Sequence, residues 1–452
     1  MTMLITNATL VTVRQGEPVV LPDHEVLVEN GVIRSVAQSG RCGREGIDEI
    51  IDARNLVVIP GLINTHHHLY QSLTRGLAAV QNAPLFAWLT ELYPRWRRMD
   101  YQAVKLAASV SIAELLLSGC TTTSDHLYIF PPGSGLRMEA VLDAADELGI
   151  RIHACRGSMS LGASAGGLPP DDCVESESEI LADCRRVIDE FHDPAPYALR
   201  RIDLAPCSPF SISPELLGDT RDLARERNVL LHTHAAETLD EQAYCLERFG
   251  RRPVAFLAEH GWLGEDVYLA HCVHLNDEEI ELLVQTRTGV CHCPCSNMRL
   301  GSGVAPIARL IERGGKVGIG VDGSSSNDGG NLLAEVRQAL LLQRAGGGPE
   351  AITTAQAFEL ATTGGATVLG RDRLGRIEPD MAADLAMYRK DEIALAGAVE
   401  QDPLGALMLC HAPRPDRVIV AGKTVVRQGH LVNADEHALA ARLNELVAKA
   451  FH

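Results

Sequence analysis

From Gly61 onward the chain repeats one unit, a short apolar run followed by a longer amphipathic stretch. The runs are "GLINTH", "CTTTSDH", "RIHACRG", "RIDLAPCS", "VLLHTHAAE", "VYLAHCVH", "TGVCHCPCSN" and "KVGIGVDGS". Their length and turn-residue borders are those of strands, and the stretches between them carry helical spacing, one of them over 137–148. Eight strand candidates, most followed by a helix, predict an α/β fold of the (β/α)8 TIM-barrel type. On both sides the texture differs. "MLITNATLVTV", "HEVLVENGVIRSVA" and "EIIDARNLVVIP" precede the repeat, and "PDRVIVAGKTVVRQGHLV" follows it, as short alternating strands. The expected division is residues 59–368 for the barrel, with 1–58 and 369–452 meeting as one small β-sandwich that ends in a helix.

Composition narrows the function classes. Apolar residues make up 46% and aromatics 4%, so the core is aliphatic. Against 59 Asp and Glu stand 41 Lys and Arg, a formal charge of −18 that disfavours a nucleic-acid backbone as partner. No run approaches the ~20 apolar residues of a membrane span, and the first residues lack the pattern of a secretory signal. A cytoplasmic protein without membrane contact is therefore expected; a homo-oligomer is expected as well, though nothing in the sequence fixes the oligomeric state. Its twelve cysteines are expected as reduced, mostly buried thiols.

Polar residues recur at the strand ends. In "THHH", strand alternation puts His66 and His68 on one face and His67 on the other, against the barrel's helices. His234 ends the fifth strand candidate, with His232 on the same face, and Asp322 ends the eighth. Strand ends converge at the C-terminal mouth of a barrel. There His66, His68, His234 and Asp322 would offer three nitrogens and one carboxylate oxygen to one divalent metal, Zn2+ or, less selectively, Fe2+. Glu237 and His271 fall in the same layer as candidate proton carriers, whereas His274 is expected to be structural. Cys291, Cys293 and Cys295 lack the spacing of a structural zinc site. None of the five lysines lies between 106 and 315, so no lysine can bridge two metals from the fourth strand.

"PGLINTHHH", "HTHAAE", "AHCVH" and "GVDGSSSN", in this order, resemble the amidohydrolase superfamily, and within it the aminohydrolases of aromatic nitrogen heterocycles. The resemblance implies one metal, usually zinc, on His66, His68, His234 and Asp322, and proton handling by Glu237, His271 and Asp322. "HHHLYQSLTR", "SGCTTTSDHLYIFP" and "HCPCSNMRLGSG" are similar to the guanine-deaminase-like branch and, within it, to the bacterial 8-oxoguanine deaminases. This implies attack of a metal-activated water at C2 of 8-oxoguanine, releasing ammonia and urate. Isoxanthopterin, guanine, isocytosine and hydroxytriazines remain alternative substrates, and a non-catalytic binding protein is the alternative class. Gln71 matches a ring-contacting glutamine of the branch. Cys207 stands where S-adenosylhomocysteine deaminases usually carry histidine, which disfavours adenosine-type substrates. Trp88, Arg156, Tyr70 and Trp96 are further candidates for the ring, and the Gly-rich 158–171 segment is a candidate lid.

Overall fold

The computed structural model describes residues 1–14 and 17–451. Strands β1 (Thr2–Arg14), β2 (Glu17–Glu29), β3 (Val32–Gln38), β4 (Glu49–Asp52) and β5 (Leu56–Pro60) open the chain. Only Gly61 separates β5 from the first barrel strand, and a Cβ there would overlap the Thr121 side chain. Hence the switch from small domain to barrel falls on a glycine.

The eight apolar runs then become β6 (Leu62–Asn64), β7 (Cys120–Leu127), β8 (Arg151–Ser158), β9 (Arg200–Pro206), β10 (Leu231–Ala235), β11 (Val267–His271), β12 (Gly289–His292) and β13 (Lys316–Ile319). They form a closed parallel barrel in sequence order. Closure is made where Ile319 of β13 faces Asn64 of β6. Every residue of β7 and β8 is buried, as expected of strands covered on both faces. The expected helix near 137–148 spans Glu139–Leu148 and stops at Gly149, whose left-handed φ of 80° suits a residue without Cβ. The helices after β9, β10 and β11 begin at Ser213, Thr238 and Asn276, whose side chains accept a backbone N–H of the first turn.

Strands β14 (Leu385–Arg389), β15 (Arg417–Val420), β16 (Lys423–Arg427) and β17 (His430–Leu431) return to β5. Among the described residues they complete one nine-stranded sheet, ordered β17-β16-β15-β14-β5-β1-β2-β3 with β4 on β1. Both termini thus build the small β domain, and its hydrogen bonding runs through as a single mixed sheet around Met3, Ile5, Val26, Leu385 and Ile419. Among the described residues no helix is long and apolar enough to cross a membrane.

A buried ion pair joins the two bodies. Arg151, at the foot of β8, donates through Nε and Nη2 to the two carboxylate oxygens of Asp384, both at 3.0 Å. Its Nη1 donates to the carbonyls of Tyr197 and Ala198, while Asp384 also accepts the Ala421 N–H at 2.7 Å. Removing one partner of such a pair leaves a buried charge uncompensated. Asp384→Ala is expected to cost about 3–5 kcal/mol of stability in a urea titration, by that argument.

Candidate metal centre and active-site chamber

Strand β6 ends at Asn64, and the histidine run follows on extended chain held to β13 by the Thr65 N–H on the Ile319 carbonyl at 2.8 Å. Glycine at 320 is required for this approach, because a Cβ would stand 2.8 Å from that of His66. His66 and His68 turn into the barrel mouth. His67 is fully buried on the other side, and its ring nitrogens find no hydrogen-bond partner among the described residues. Burial pushes its pKa down to about 3, so the ring is neutral.

The inward groups meet closely. His68 Nε2 lies 3.1 Å from His234 Nε2, and Asp322 Oδ1 lies 3.3 Å from His66 Nε2 and 3.4 Å from His68 Nε2. The far nitrogens are all engaged. His68 Nδ1 donates to the His126 carbonyl at 2.6 Å, His234 Nδ1 to the Cys207 carbonyl at 2.6 Å, and His66 Nδ1 faces His232 Nε2 at 2.8 Å. His68 and His234 therefore carry their protons outward and aim bare Nε2 lone pairs at the common point. His66 Nε2 is buried without a hydrogen-bond partner among the described residues. Burial also pushes the His66 and His234 pKa values well below that of free imidazole, which keeps both rings neutral. Neutral imidazoles and a carboxylate with their lone pairs converging are the donor set of a divalent cation.

Sequence reasoning missed His126, which shares a cluster of possible ligand atoms with His66, His68 and His234. Its Nε2 donates to the Ala205 carbonyl at 2.8 Å, and its ring stacks on that of His234 at 5.0 Å. The signal was present: "SDH" ends a barrel strand just as "HTH" does. Ser296 and Ser326 were missed too. Both hydroxyls donate to Asp322 Oδ2, at 2.6 and 2.9 Å, leaving Oδ1 for the histidines.

Beside this centre stands Glu237. Burial, with Asp322 and Glu241 nearby, raises its pKa to about 7 against the opposing pull of His271. Its Oε2 lies 3.7 Å from His271 Nε2, and His271 Nδ1 donates to Asn297 Oδ1 at 2.9 Å. Burial works against a charged His271, yet Glu237, Asp322 and the Asn297 bond together raise its pKa. These groups floor a chamber whose walls include Gln71, Trp88, Cys207, Tyr128 and Phe210. Gln71 is wedged where Gly323 has no side chain, and Trp88 Nε1 donates to the Ser325 carbonyl at 3.2 Å.

Other expected positions fall outside. Arg156 corrects the reading from "ACRGSM": it does not line the chamber. Its guanidinium is spent on Glu175 and Asp183, each at 2.7 Å, so its charge is already neutralised. Trp96 lies behind the chamber, edge-on to Tyr70, with Nε1 donating to Thr74 Oγ1 at 3.0 Å. His274 donates to or accepts from no site residue, its Nε2 bonding the Ser302 carbonyl at 2.9 Å. Cys291 and Cys293 are buried thiols, and burial raises the Cys291 pKa to about 12. The 158–171 segment is tied down by Tyr244 on the Gly166 carbonyl at 2.9 Å and by the Leu168 N–H on the Phe210 carbonyl at 3.0 Å.

The profile of the amidohydrolase family matches residues 57–425. The chain belongs to that family, as a hydrolase acting on C–N bonds. It is 48% identical over 417 residues to 8-oxoguanine deaminase of Pseudomonas aeruginosa, covering 92% of each chain. An isoxanthopterin deaminase from an unknown prokaryotic organism is 36% identical over 420 residues, 88% of this chain and 87% of the relative. Among solved structures, atrazine chlorohydrolase of Arthrobacter aurescens complexed with zinc superposes with a TM-score of 0.93 at 33% identity, over 98% of this chain and 100% of that one.

Metal analysis separates the histidines. His68→Ala is expected to purify with little bound metal, whereas His67→Asn, changed on the opposite side of the backbone, keeps close to the content of the unaltered chain.

Proposed function

From its place in the amidohydrolase family, we propose that this enzyme hydrolytically deaminates an aromatic nitrogen heterocycle, 8-oxoguanine, to urate and ammonia. The observation that carries the reading is Glu237, a buried carboxyl with its pKa raised to about 7, facing His271 across 3.7 Å at the floor of the chamber lined by Gln71, Trp88, Cys207 and Phe210. Such a group holds and gives a proton near neutral pH. The similarity to an 8-oxoguanine deaminase supports the substrate.

His66, His68, His234 and Asp322 would hold one divalent metal per chain, zinc in this proposal. When bound, it supplies a water made acidic enough to be a nucleophile near neutrality. Asp322 takes the proton of that water; Ser296 and Ser326 fix its Oδ2 and with it the direction of the remaining lone pairs. His271 is held by Asn297 so that Nε2 points between Glu237 and Asp322, at 3.7 and 4.0 Å, where it orients the water. Glu237 protonates the ring nitrogen beside the amino-bearing carbon, C2, which makes that carbon electrophilic. Oxygen adds to C2, the C2–N bond breaks, and the amino nitrogen leaves as ammonia with the proton relayed through Asp322. The carboxamide of Gln71 reads the ring edge, and the thiol of Cys207 leaves room where a larger polar group would intrude.

A second reading follows from the apolar wall of Leu85, Leu89, Phe210 and Leu300, which carries no side-chain polar group specific to one ring. Isoxanthopterin is its leading form, given the relative that deaminates it. Ammonia release over 8-oxoguanine, isoxanthopterin, guanine, isocytosine and a hydroxytriazine decides between them. The largest kcat/KM is expected for 8-oxoguanine, and a much larger value for another ring would replace this substrate. Glu237→Gln is expected to lower kcat by about 10²- to 10⁴-fold on whichever ring is used, with bound metal unchanged, as loss of a positioned proton carrier does.

A further inference from the structure

We propose that His232 is a positioning residue for the metal centre: it fixes the tautomer of His66 and thereby sets the affinity for the metal. The inference rests on the metal site proposed above. His232 sits two residues before His234 on the same face of β10, one layer deeper, and is completely buried.

The assignment follows from counting protons. His232 Nδ1 lies 2.8 Å from the Tyr268 carbonyl oxygen, which can only accept, so Nδ1 carries the hydrogen. In the opposite tautomer a lone pair would face that oxygen at a fully buried position, an uncompensated repulsion. Nε2 of the neutral ring is then an acceptor. It lies 2.8 Å from His66 Nδ1, so that proton belongs to His66, and His66 Nε2 is left bare toward Asp322. The Tyr268 ring lies flat on His232, with centroids 4.1 Å apart and planes 15° from parallel, and its hydroxyl is anchored on Asp203 at 2.9 Å. The imidazole plane that meets His66 is therefore fixed from below.

His232 is singular among the supports of the three histidine ligands. His68 and His234 each donate to a backbone carbonyl, which no substitution removes. Only His66 takes its outer acceptor from a side chain. Without it, His66 can move its proton to Nε2 and close its own ligand position.

The test uses the full chain stripped of metal, with affinity for Zn2+ and Co2+ measured by competition against a chromophoric chelator. His232→Gln keeps an acceptor at the level of Nε2. His232→Asn retracts it to the level of Nδ1, and His232→Met removes it at similar volume. Met and Asn are expected to weaken metal binding by about 10- to 100-fold, the usual effect of losing a partner behind a ligand. Gln is expected to stay close to the unaltered chain and to keep its cobalt visible bands. If the Met variant does not melt cooperatively, the Gln and Asn pair decides. Equal affinities across the folded variants would overturn the assignment, as would a Gln variant as weak as Asn. If the unaltered chain takes up no cation, the metal site itself is wrong and this inference falls with it.

Discussion

Three imidazole nitrogens and a carboxylate oxygen point at one small volume, with spacings of 3.1 to 3.4 Å. The outer nitrogens of His68 and His234 hold their protons against carbonyls, so their lone pairs converge with the Asp322 carboxylate, an arrangement that a divalent cation stabilises. The fold is arranged to hold this unfavourable geometry. The outer ring nitrogens are satisfied by carbonyls of neighbouring strand ends or by His232, and Asp322 is oriented by Ser296 of the short helix Pro294–Arg299 and by Ser326 of the loop after β13. Each histidine ligand thus depends on a strand other than its own, and the closed barrel brings those strands to one rim.

Backbone strain collects at the same rim. Ala236, His271, Cys272 and Asp322 all adopt left-handed φ values between 50° and 70°, where a side chain costs about 1–3 kcal/mol. Two buried carboxylates brace the same rim. Glu241 accepts the N–H groups of Ala236 and Glu237 at 2.9 and 2.7 Å. Glu335 accepts the Cys295 N–H at 2.8 Å and Asn327 Nδ2 at 3.0 Å. Both are acids whose pKa burial raises, and both stand on the helical layer around the barrel. The catalytic Glu237 proposed here and the loops around Asp322 are therefore clamped from the helical layer, not only from the strands.

Much of this was legible in the chain. Apolar runs bounded by turns placed all eight barrel strands, because burial on both faces leaves a strong hydrophobic signal. Strand alternation separated His67 from its neighbours even though the regular strand stops at Asn64. The signal weakened for groups whose partners lie far along the chain. Arg156 read as a substrate contact because a lone arginine at a strand end resembles one, and Glu175 and Asp183, which neutralise it, sit on a later segment. The support given by Ser296, Asn297 and Ser326 was equally invisible, since serine and asparagine in a turn are ordinary turn residues.

By itself the sequence determined the repeat, the identity of the donor atoms and the face each residue takes, for these depend on local periodicity and side-chain chemistry. Tertiary structure alone decided which nitrogen of each histidine is free, which carboxylates stay unpaired and which walls enclose the chamber. Those properties belong to pairs such as His66 with His232 or Asp322 with Ser296, separated by 166 and 26 residues. No local pattern encodes such a meeting; closure of the barrel does.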